Sequence, residues 1–117
     1  MPTSEQTTVY KICRPDEWAA AEGDGIFRGS PDDQRDGFIH FSTAAQLPGT
    51  VDKYFAAQPG LVLIAINANA LGAALKWEPS RGGALFPHLH GDLPVALVAW
   101  VRPLPLGADG RHAFPPL

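Results

Sequence analysis

The chain has 117 residues, a length that suits one domain built around one hydrophobic core. Hydrophobic residues make up 45% and charged residues 18%, as in ordinary globular proteins. The formal net charge is -3 and no run of Lys and Arg occurs, so the sequence lacks the charge pattern of a nucleic-acid-binding protein. No apolar stretch approaches membrane-spanning length, and a membrane partner is therefore not expected.

The single cysteine, Cys13, cannot form an internal disulfide, and the N-terminal residues do not have the pattern of a signal peptide. We therefore expect a protein of the cytoplasm, with Cys13 as a small buried apolar residue. Residues 1–8 are expected to form a flexible lead and residues 9–117 a single globular domain.

The first elements are predicted from alternation and from helix-start signals. Thr8–Cys13 alternates as a strand, and its Lys11 is either an exposed sheet lysine or directed into a cleft. Residues 14–22 are predicted as a helix that ends at Gly23. The following polar segment, residues 29–35, is predicted as a loop.

The stretch Asp36–Thr43 combines a turn, a short apolar strand and a polar helix cap. Alternation places His40 on the same face as Phe38 and Ser42. A titratable ring at a strand end, close to a helix N-terminus, is suited to contact an anionic ligand. The alternative is a core histidine bonded to a carbonyl group.

The next predicted element is a helix over residues 44–57, interrupted at Pro48-Gly49 and with Tyr54 on its buried side. Residues 61–66 are apolar on both faces and predict a central strand. Asn67 is expected to cap a helix over residues 68–75. The close spacing of several strands favours an α+β domain with a mostly antiparallel sheet.

A second candidate cluster begins at Trp77-Glu78. Glu78 beside an indole suggests a carboxyl group with a raised pKa, or alternatively one paired with an arginine. Arg81 is either a grip for phosphate or carboxylate or a surface charge, and Gly82-Gly83 either lets a ligand approach the backbone or forms a plain turn. Trp77 is expected to fill the core rather than to stack on a ligand.

His88 and His90 share a face in extended chain, and with His40 they supply three imidazoles. Three histidines are sufficient protein ligands for a catalytic zinc ion. No established metal motif is present, however. The sequence therefore does not favour a metal site, and no residue is predicted as a metal ligand.

The order of these residues resembles a family of small bacterial proteins, the domain-of-unknown-function family 952. The most specific blocks are Gly37–Thr43 and Phe86–Leu89 followed by Gly91, and the resemblance covers nearly the whole chain after residue 8. His90 departs from the family pattern, in which tyrosine is expected at this position.

The resemblance implies a fold similar to the ADP-ribosyltransferase superfamily, a split antiparallel sheet with an NAD cleft between its halves. Lys11 stands where that superfamily has His or Arg. His40 or Ser42 occupies the second-strand region, and Glu78 and His88 are the later candidates.

Three functions follow as hypotheses. The first is an enzyme, or a degenerate enzyme, that binds NAD or another ADP-ribose-bearing small molecule and cleaves or transfers its ADP-ribosyl group. The second is a binding module without catalysis, and the third is a zinc-dependent hydrolase using His40, His88 and His90. In the first, the catalytic candidates are His40, Glu78 and His88, and the ligand-binding candidates are Lys11, Ser42, Thr43, Trp77, Arg81, Gly82, Gly83 and Phe86.

Overall fold

The structure is a computed structural model that describes residues 7–117, with Arg81 represented by its backbone only. Of the predicted flexible lead, residues 1–6 lie outside the described residues. The strands are β1 (Thr8–Cys13), β2 (Ile26–Phe27), β3 (Ile39–His40), β4 (Leu61–Asn67), β5 (Leu75–Pro79), β6 (Leu85–Leu89), β7 (Leu93–Pro94) and β8 (Val98–Leu104). The α-helices are α1 (Pro15–Asp24), α2 (Pro31–Asp36), α3 (Leu47–Tyr54) and α4 (Ala68–Leu71), and 3₁₀ turns cover Gly72–Ala74, Arg81–Gly83 and Val95–Leu97.

The strands form two three-stranded sheets and one two-stranded ribbon. The first sheet has the order β1-β4-β8, the second has the order β3-β6-β5, and β2 pairs with β7. Every one of these pairings is antiparallel, which confirms the predicted α+β class with a mostly antiparallel arrangement. The apolar strand β4 is central in the first sheet, as its sequence indicates.

The central strand β4 and its neighbour β1 are buried on both faces, which explains why β4 is apolar throughout. Side chains of one face pack with α1 and the ribbon in a cluster of Val9, Cys13, Trp18, Ala21, Phe27, Ile39, Phe41, Ile64, Ile66, Leu71, Leu89 and Leu93. Those of the other face pack with α3 in a cluster of Tyr10, Ile12, Leu47, Val51, Leu61, Leu63, Ala65 and Leu104. Cys13 is fully buried, and burial raises the pKa of its thiol to about 12, so it is the inert apolar residue that the sequence predicts.

The two sheets are joined at one point, which we call the seam. Tyr10 in β1 exchanges two backbone hydrogen bonds of 2.8 and 2.9 Å with Ser42, just after β3. The backbone N–H of Phe41 donates to the carbonyl oxygen of Pro87 in β6 at 2.9 Å. The seam therefore brings the middle of β1 next to the paired ends of β3 and β6.

Two predicted helices have different bounds in the structure. Helix α1 continues through Gly23 and ends at Asp24, and the positive φ of 81° at Gly25 allows the left-handed cap. Helix α3 begins at Leu47, so Pro48 lies in its first turn, where a missing N–H costs nothing, and no interruption occurs. Tyr54, predicted to be buried, is 52% exposed.

Two other predictions were wrong in kind or in length. The segment predicted as a loop over residues 29–35 contains α2, because Ser30 caps Pro31–Asp36 through a reciprocal pair of hydrogen bonds with Asp33. The helix after Asn67 ends at Leu71, and Leu75 already belongs to β5. Between residues 7 and 117, no helix is both long and apolar enough to cross a membrane.

Candidate functional site

A cavity of about 140 Å³ with a mixed polar and apolar wall opens at the seam. We call it the seam cavity. It lies where β1, the end of β3 and β6 meet, and helices α2 and α3 contribute the rest of its wall. The two stretches singled out in the sequence, around His40 and around His88, therefore contribute to one cavity.

The lining combines rings, hydroxyl groups and charges. Its phenyl and phenol rings belong to Tyr10, Phe41, Tyr54, Phe55 and Phe86. Its hydroxyl groups belong to Ser30, Ser42, Thr50 and Ser80, and its imidazoles to His40 and His88. Its charged side chains are Lys11, Asp32, Asp33, Arg35 and Asp36.

Asp33 is the centre of the charged part of this wall. Its carboxylate forms a buried ion pair with Lys11, with Nζ at 3.0 Å from Oδ1 and at 2.8 Å from Oδ2. It also accepts backbone N–H donors from Ser30 at 2.9 Å and from His40 at 3.1 Å. Because these partners come from β1, α2 and β3, one carboxylate fixes the relative position of three elements.

Burial tends to raise the pKa of the Asp33 carboxyl group, but the hydrogen bond from His40 and the charge of Lys11 outweigh it. The pKa therefore lies below its ordinary value. Lys11 is 6% exposed, so the alternative of an exposed sheet lysine is wrong, and the side chain is not a free charge in the cleft either. Its ammonium group is used by Asp33 and lies 5.9 Å from the centroid of the Phe27 ring.

His40 is held between two carboxylates. Its Nδ1 lies 2.6 Å from Oδ1 of Asp33, and its Nε2 lies 3.0 Å from Oδ2 of Asp36. About one third of the side chain is exposed. His40 is therefore a partly exposed group of the cavity wall and not a sealed core histidine.

His88 faces His40 across the β3–β6 pair. The two residues are register partners, and their ring centroids lie 5.4 Å apart in an edge-to-face arrangement. His88 is 4% exposed, and its Nδ1 lies 2.8 Å from Oε1 of Glu78. The same Glu78 oxygen lies 2.8 Å from Nε2 of His90, so one carboxylate oxygen bonds a buried and a partly exposed imidazole.

This arrangement corrects the prediction for Glu78. The hydrogen bonds of His90 and then of His88 lower the pKa of Glu78 below its ordinary value, whereas the sequence suggested a raised pKa. Glu78 does not line the seam cavity, and its partners among the described side chains are His88 and His90. The alternative pairing with an arginine stays a prediction, because the side chain of Arg81 lies outside the described residues. Its contact with the cavity is indirect, through His88.

The phenyl ring of Phe38 packs against all three imidazoles. Ring centroids lie 4.1 Å from His88, 4.7 Å from His40 and 5.2 Å from His90. One apolar ring therefore contacts all three imidazoles and restricts their rotation.

The ligand-binding candidates divide into two groups. Lys11, Ser42 and Phe86 line the seam cavity, together with the catalytic candidates His40 and His88. The members of the other group, Thr43, Trp77, Gly82 and Gly83, do not line it. Trp77 is 42% exposed, which corrects its expected place in the core, and the side chain of Arg81 lies outside the described residues.

Thr43 has a structural role instead. Its hydroxyl accepts the backbone N–H of Gln46 at 3.3 Å, and its own N–H donates to the Gln46 side chain at 3.0 Å. These bonds order the turn that leads into α3. Ser42 bonds the hydroxyl of Thr50 at 2.9 Å within the cavity wall.

Asp33 and Asp36 are site residues that sequence reasoning missed. Both lie in the segment that was predicted as a loop or as a turn. The sequence Ser30-Pro31-Asp32-Asp33 carried the signal, because a serine followed by proline and then by an acidic residue three positions on is typical of a helix start.

The zinc hypothesis requires donor side chains that converge on one point. Among residues 7–117, no group of three or more His, Cys, Asp or Glu side chains is arranged to hold a metal ion. The imidazoles of His88 and His90 both direct a nitrogen at Glu78, so these nitrogens do not converge with His40 on one point.

Comparisons with known proteins give one family match and matches to solved structures. The family described as "Protein of unknown function (DUF952)" matches residues 12–101. The crystal structure of protein CC0527 from Caulobacter crescentus is 48% identical, covers 92% of this chain and 94% of its own, and superposes with a TM-score of 0.87. The solution NMR structure of CC0527 is 49% identical, covers 89% and 90% of the two chains, and has a TM-score of 0.81.

Comparison with curated proteins gives no match. The family match extends from β1 into β8 and includes both stretches that meet at the seam cavity. The chain therefore belongs to the DUF952 family of proteins of unknown function.

Proposed function

We propose that the seam cavity binds NAD or another ADP-ribose-bearing molecule, and that the part inside the cavity is the ribose with its attached ring. The observation that carries this proposal is that His40 and Ser42 from one stretch, and Phe86 and His88 from another, line a single cavity.

The chemistry of the wall is suited to a ribosyl group. Ribose hydroxyl groups both donate and accept hydrogen bonds, the hydroxyl groups of Ser42 and Ser80 offer both functions, and the imidazoles of His40 and His88 add ring nitrogens. An aromatic or heteroaromatic ring attached to the sugar requires apolar faces, which Tyr10, Phe55 and Phe86 supply.

The charges indicate which part of the ligand enters. The lining has two permanently basic side chains, Lys11 and Arg35, against three carboxylates, those of Asp32, Asp33 and Asp36. Such a wall does not favour phosphate groups. In this proposal the phosphates lie outside the seam cavity, and an uncharged or cationic group such as nicotinamide lies within it.

A second candidate function is cleavage of the nicotinamide–ribose bond, which would make the protein an ADP-ribosyl transferase or an NAD-cleaving enzyme. The observation that favours it is the Glu78–His88 pair, because a carboxylate on Nδ1 fixes the ring and supports charge on it. Binding without catalysis is favoured by Lys11, which is neutralised by Asp33 and has no free charge to stabilise a reacting group. A nucleotide ligand also agrees with the cytoplasm, which we retain as the proposed location.

A thermal-shift screen of the whole chain tests binding. NAD, ADP-ribose, nicotinamide riboside and AMP are added separately, and a ligand at 100 times its dissociation constant is expected to stabilise the fold by about 2.7 kcal/mol. His40→Gln should reduce the shift, whereas His112→Gln, which replaces a histidine bonded to Gln58 away from the cavity, should retain it.

Two results would overturn the proposal: no shift with any of these ligands, or an equal loss of the shift in the two variants. Release of nicotinamide from NAD, measured by chromatography and lost in His40→Ala and Glu78→Ala, would separate cleavage from binding alone.

A further inference from the structure

The two imidazoles of the seam cavity differ in their hydrogen-bond partners. Nδ1 of His88 faces only an acceptor, the carboxylate of Glu78. The ring therefore carries its proton on Nδ1, and Nε2 bears the lone pair in the neutral form. Because His88 lines the cavity and its Nδ1 is occupied, Nε2 is the nitrogen left to receive a proton from a ligand or from water.

His40 has acceptors at both nitrogens. Asp33 lies at Nδ1 and Asp36 lies at Nε2, so the imidazolium is the form that satisfies both contacts. The local charges agree with this form. Around His40 the carboxylates of Asp32, Asp33 and Asp36 face only two other cations, Lys11 and Arg35, and a protonated His40 balances the set.

A base and an acid that lie side by side in one cavity indicate which kind of leaving group the cavity can serve. A base can deprotonate water, but an acid is needed only when the leaving group departs as an anion. Nicotinamide leaves NAD as a neutral molecule and needs no proton. An alcohol leaving from the anomeric carbon of ribose does need one.

We propose that the seam cavity hydrolyses an O-linked ribosyl group, with His88 as the general base and His40 as the general acid. This inference rests on the proposed function, because it takes an ADP-ribose-bearing molecule as the ligand. It assigns the substrate class as an ADP-ribosyl group bonded through oxygen.

The step balances as follows. Water gives a proton to Nε2 of His88 while its oxygen forms a bond to the anomeric carbon of ribose. The bond from that carbon to the leaving oxygen breaks, and its electron pair stays on the oxygen. The leaving oxygen takes the proton from Nε2 of His40, where it replaces the Asp36 carboxylate, and Asp36 keeps Arg35 as its partner. The products are ADP-ribose and an alcohol, and solvent returns the two histidines to their starting forms.

Glu78 is a positioning residue in this step. It does not line the seam cavity, and it acts by holding the Nδ1 proton of His88 and by stabilising the imidazolium that forms.

Two O-glycosides of ADP-ribose that differ only in the leaving group test the inference. The 1″-O-methyl compound needs a proton to depart, whereas the 1″-O-(4-nitrophenyl) compound needs little help. With both, ADP-ribose release by the whole chain is measured by chromatography. His40→Gln should slow release from the methyl compound about 100-fold or more and from the nitrophenyl compound about tenfold or less. His88→Gln should slow both compounds, and His112→Gln should slow neither.

Thermal unfolding of each variant verifies folding. His88 is buried, so His88→Gln can fail to fold. In that case the comparison of the two compounds in His40→Gln decides alone. Absence of release by the wild-type chain, or equal slowing of the two compounds in His40→Gln, would overturn the inference. If the wild-type chain binds NAD or ADP-ribose in the thermal-shift screen yet releases no ADP-ribose, the inference fails and the proposed function stands.

Discussion

At the scale of single residues, Asp33 has the largest structural effect on the seam cavity. Its carboxylate pairs with Lys11 and His40 and accepts two backbone N–H groups, and Asp33 itself is only 2% exposed. A buried charge is tolerated only when it is paired and hydrogen-bonded. Removing it leaves Lys11 buried without a counter-charge, which is costly.

The stability contribution of Asp33 should depend on pH. Because its folded pKa is lower than its unfolded value, the stabilisation is fully present above the unfolded pKa of about 3.9. It is lost as the pH falls from there toward the folded pKa. We expect Asp33→Asn to lower the free energy of unfolding by about 3–5 kcal/mol at neutral pH and by progressively less below about pH 4.

Urea unfolding at several pH values measures this difference. Asp32→Asn is the matched control, because Asp32 is in the same helix but its side chain is 69% exposed, so its pair with Arg35 is screened by solvent and contributes little. If the loss in free energy of unfolding caused by Asp33→Asn stayed constant through the acid range, the proposed role of the Asp33 charge would be contradicted.

The ion pair of Asp33 with Lys11 shows what sequence patterns cannot predict. Alternation correctly predicted β1 and the common face of Val9, Lys11 and Cys13. The fate of Lys11 could not be predicted, because its partner Asp33 is 22 positions away in a segment read as a loop. Burial of a lysine depends on a tertiary partner, and local periodicity carries no information about such a partner.

At the scale of elements, α2 is a short helix whose position depends on its cap and on the backbone before it. Ser30 caps it, and Gly29 precedes the cap with φ of 105°. A Cβ added at Gly29 would lie 2.8 Å from the Cβ of Asp33. This glycine therefore permits both a left-handed backbone and the close approach of the Asp33 side chain.

Gly29→Ala should destabilise the protein more than Gly37→Ala. Both glycines have positive φ, so both substitutions cost about 1–2 kcal/mol of backbone strain. Gly37 has no atom within 4 Å of an added Cβ, whereas Gly29→Ala adds the steric clash with Asp33, about 1–3 kcal/mol more.

Chemical denaturation of both variants gives the comparison. Similar losses in the two variants would show that α2 does not depend on close packing of Gly29 against Asp33. The same variants, examined with the ligand screen, report whether a displaced α2 also weakens binding.

Strand β3 illustrates what the sequence predicts well and what it does not. The stretch around His40 correctly indicated a short strand with Ile39 and Phe41 facing the core. The pairing of His40 with His88 could not be predicted, because it depends on the register between residues that are 48 positions apart, and the α3–β4 segment lies between them. The prediction for Glu78 was wrong for the same reason, since its two histidine partners, His88 in β6 and His90 just after β6, follow β5 in the chain.

At the scale of the whole molecule, the two sheets share the seam and the apolar cluster that contains Ile39, Phe41 and Leu89 together with Val9 and Ile64. A three-stranded sheet that packs through a common core is not expected to unfold separately. The tryptophans report on this, since Trp100 lies in β8 of the first sheet and Trp77 lies in β5 of the second.

Unfolding should therefore be a single cooperative transition. In the variants Trp18→Phe with Trp77→Phe, and Trp18→Phe with Trp100→Phe, one tryptophan reports on one sheet. Its urea midpoint should coincide with the midpoint of far-ultraviolet circular dichroism in the same variant. A Trp77 transition at a lower urea concentration than the dichroism transition would show that the second sheet unfolds independently.

The family, the α+β class and the central position of β4 could all be predicted from local patterns and from the specific blocks around residues 37–43 and 86–91. The residues that line the seam cavity could not be predicted, because they depend on where the two sheets meet. Trp77 belongs to a candidate cluster of the sequence and yet does not line the cavity, whereas Asp36, interpreted only as part of a turn, lines it.

The central claim is that the seam cavity is the ligand-binding site, and NMR titration of the labelled chain with NAD or ADP-ribose tests it most directly. The account predicts that the largest chemical-shift changes occur at His40, Ser42 and His88, with little change at His112. Saturable changes confined to residues outside the cavity, or no change at ligand concentrations in the millimolar range, would contradict it.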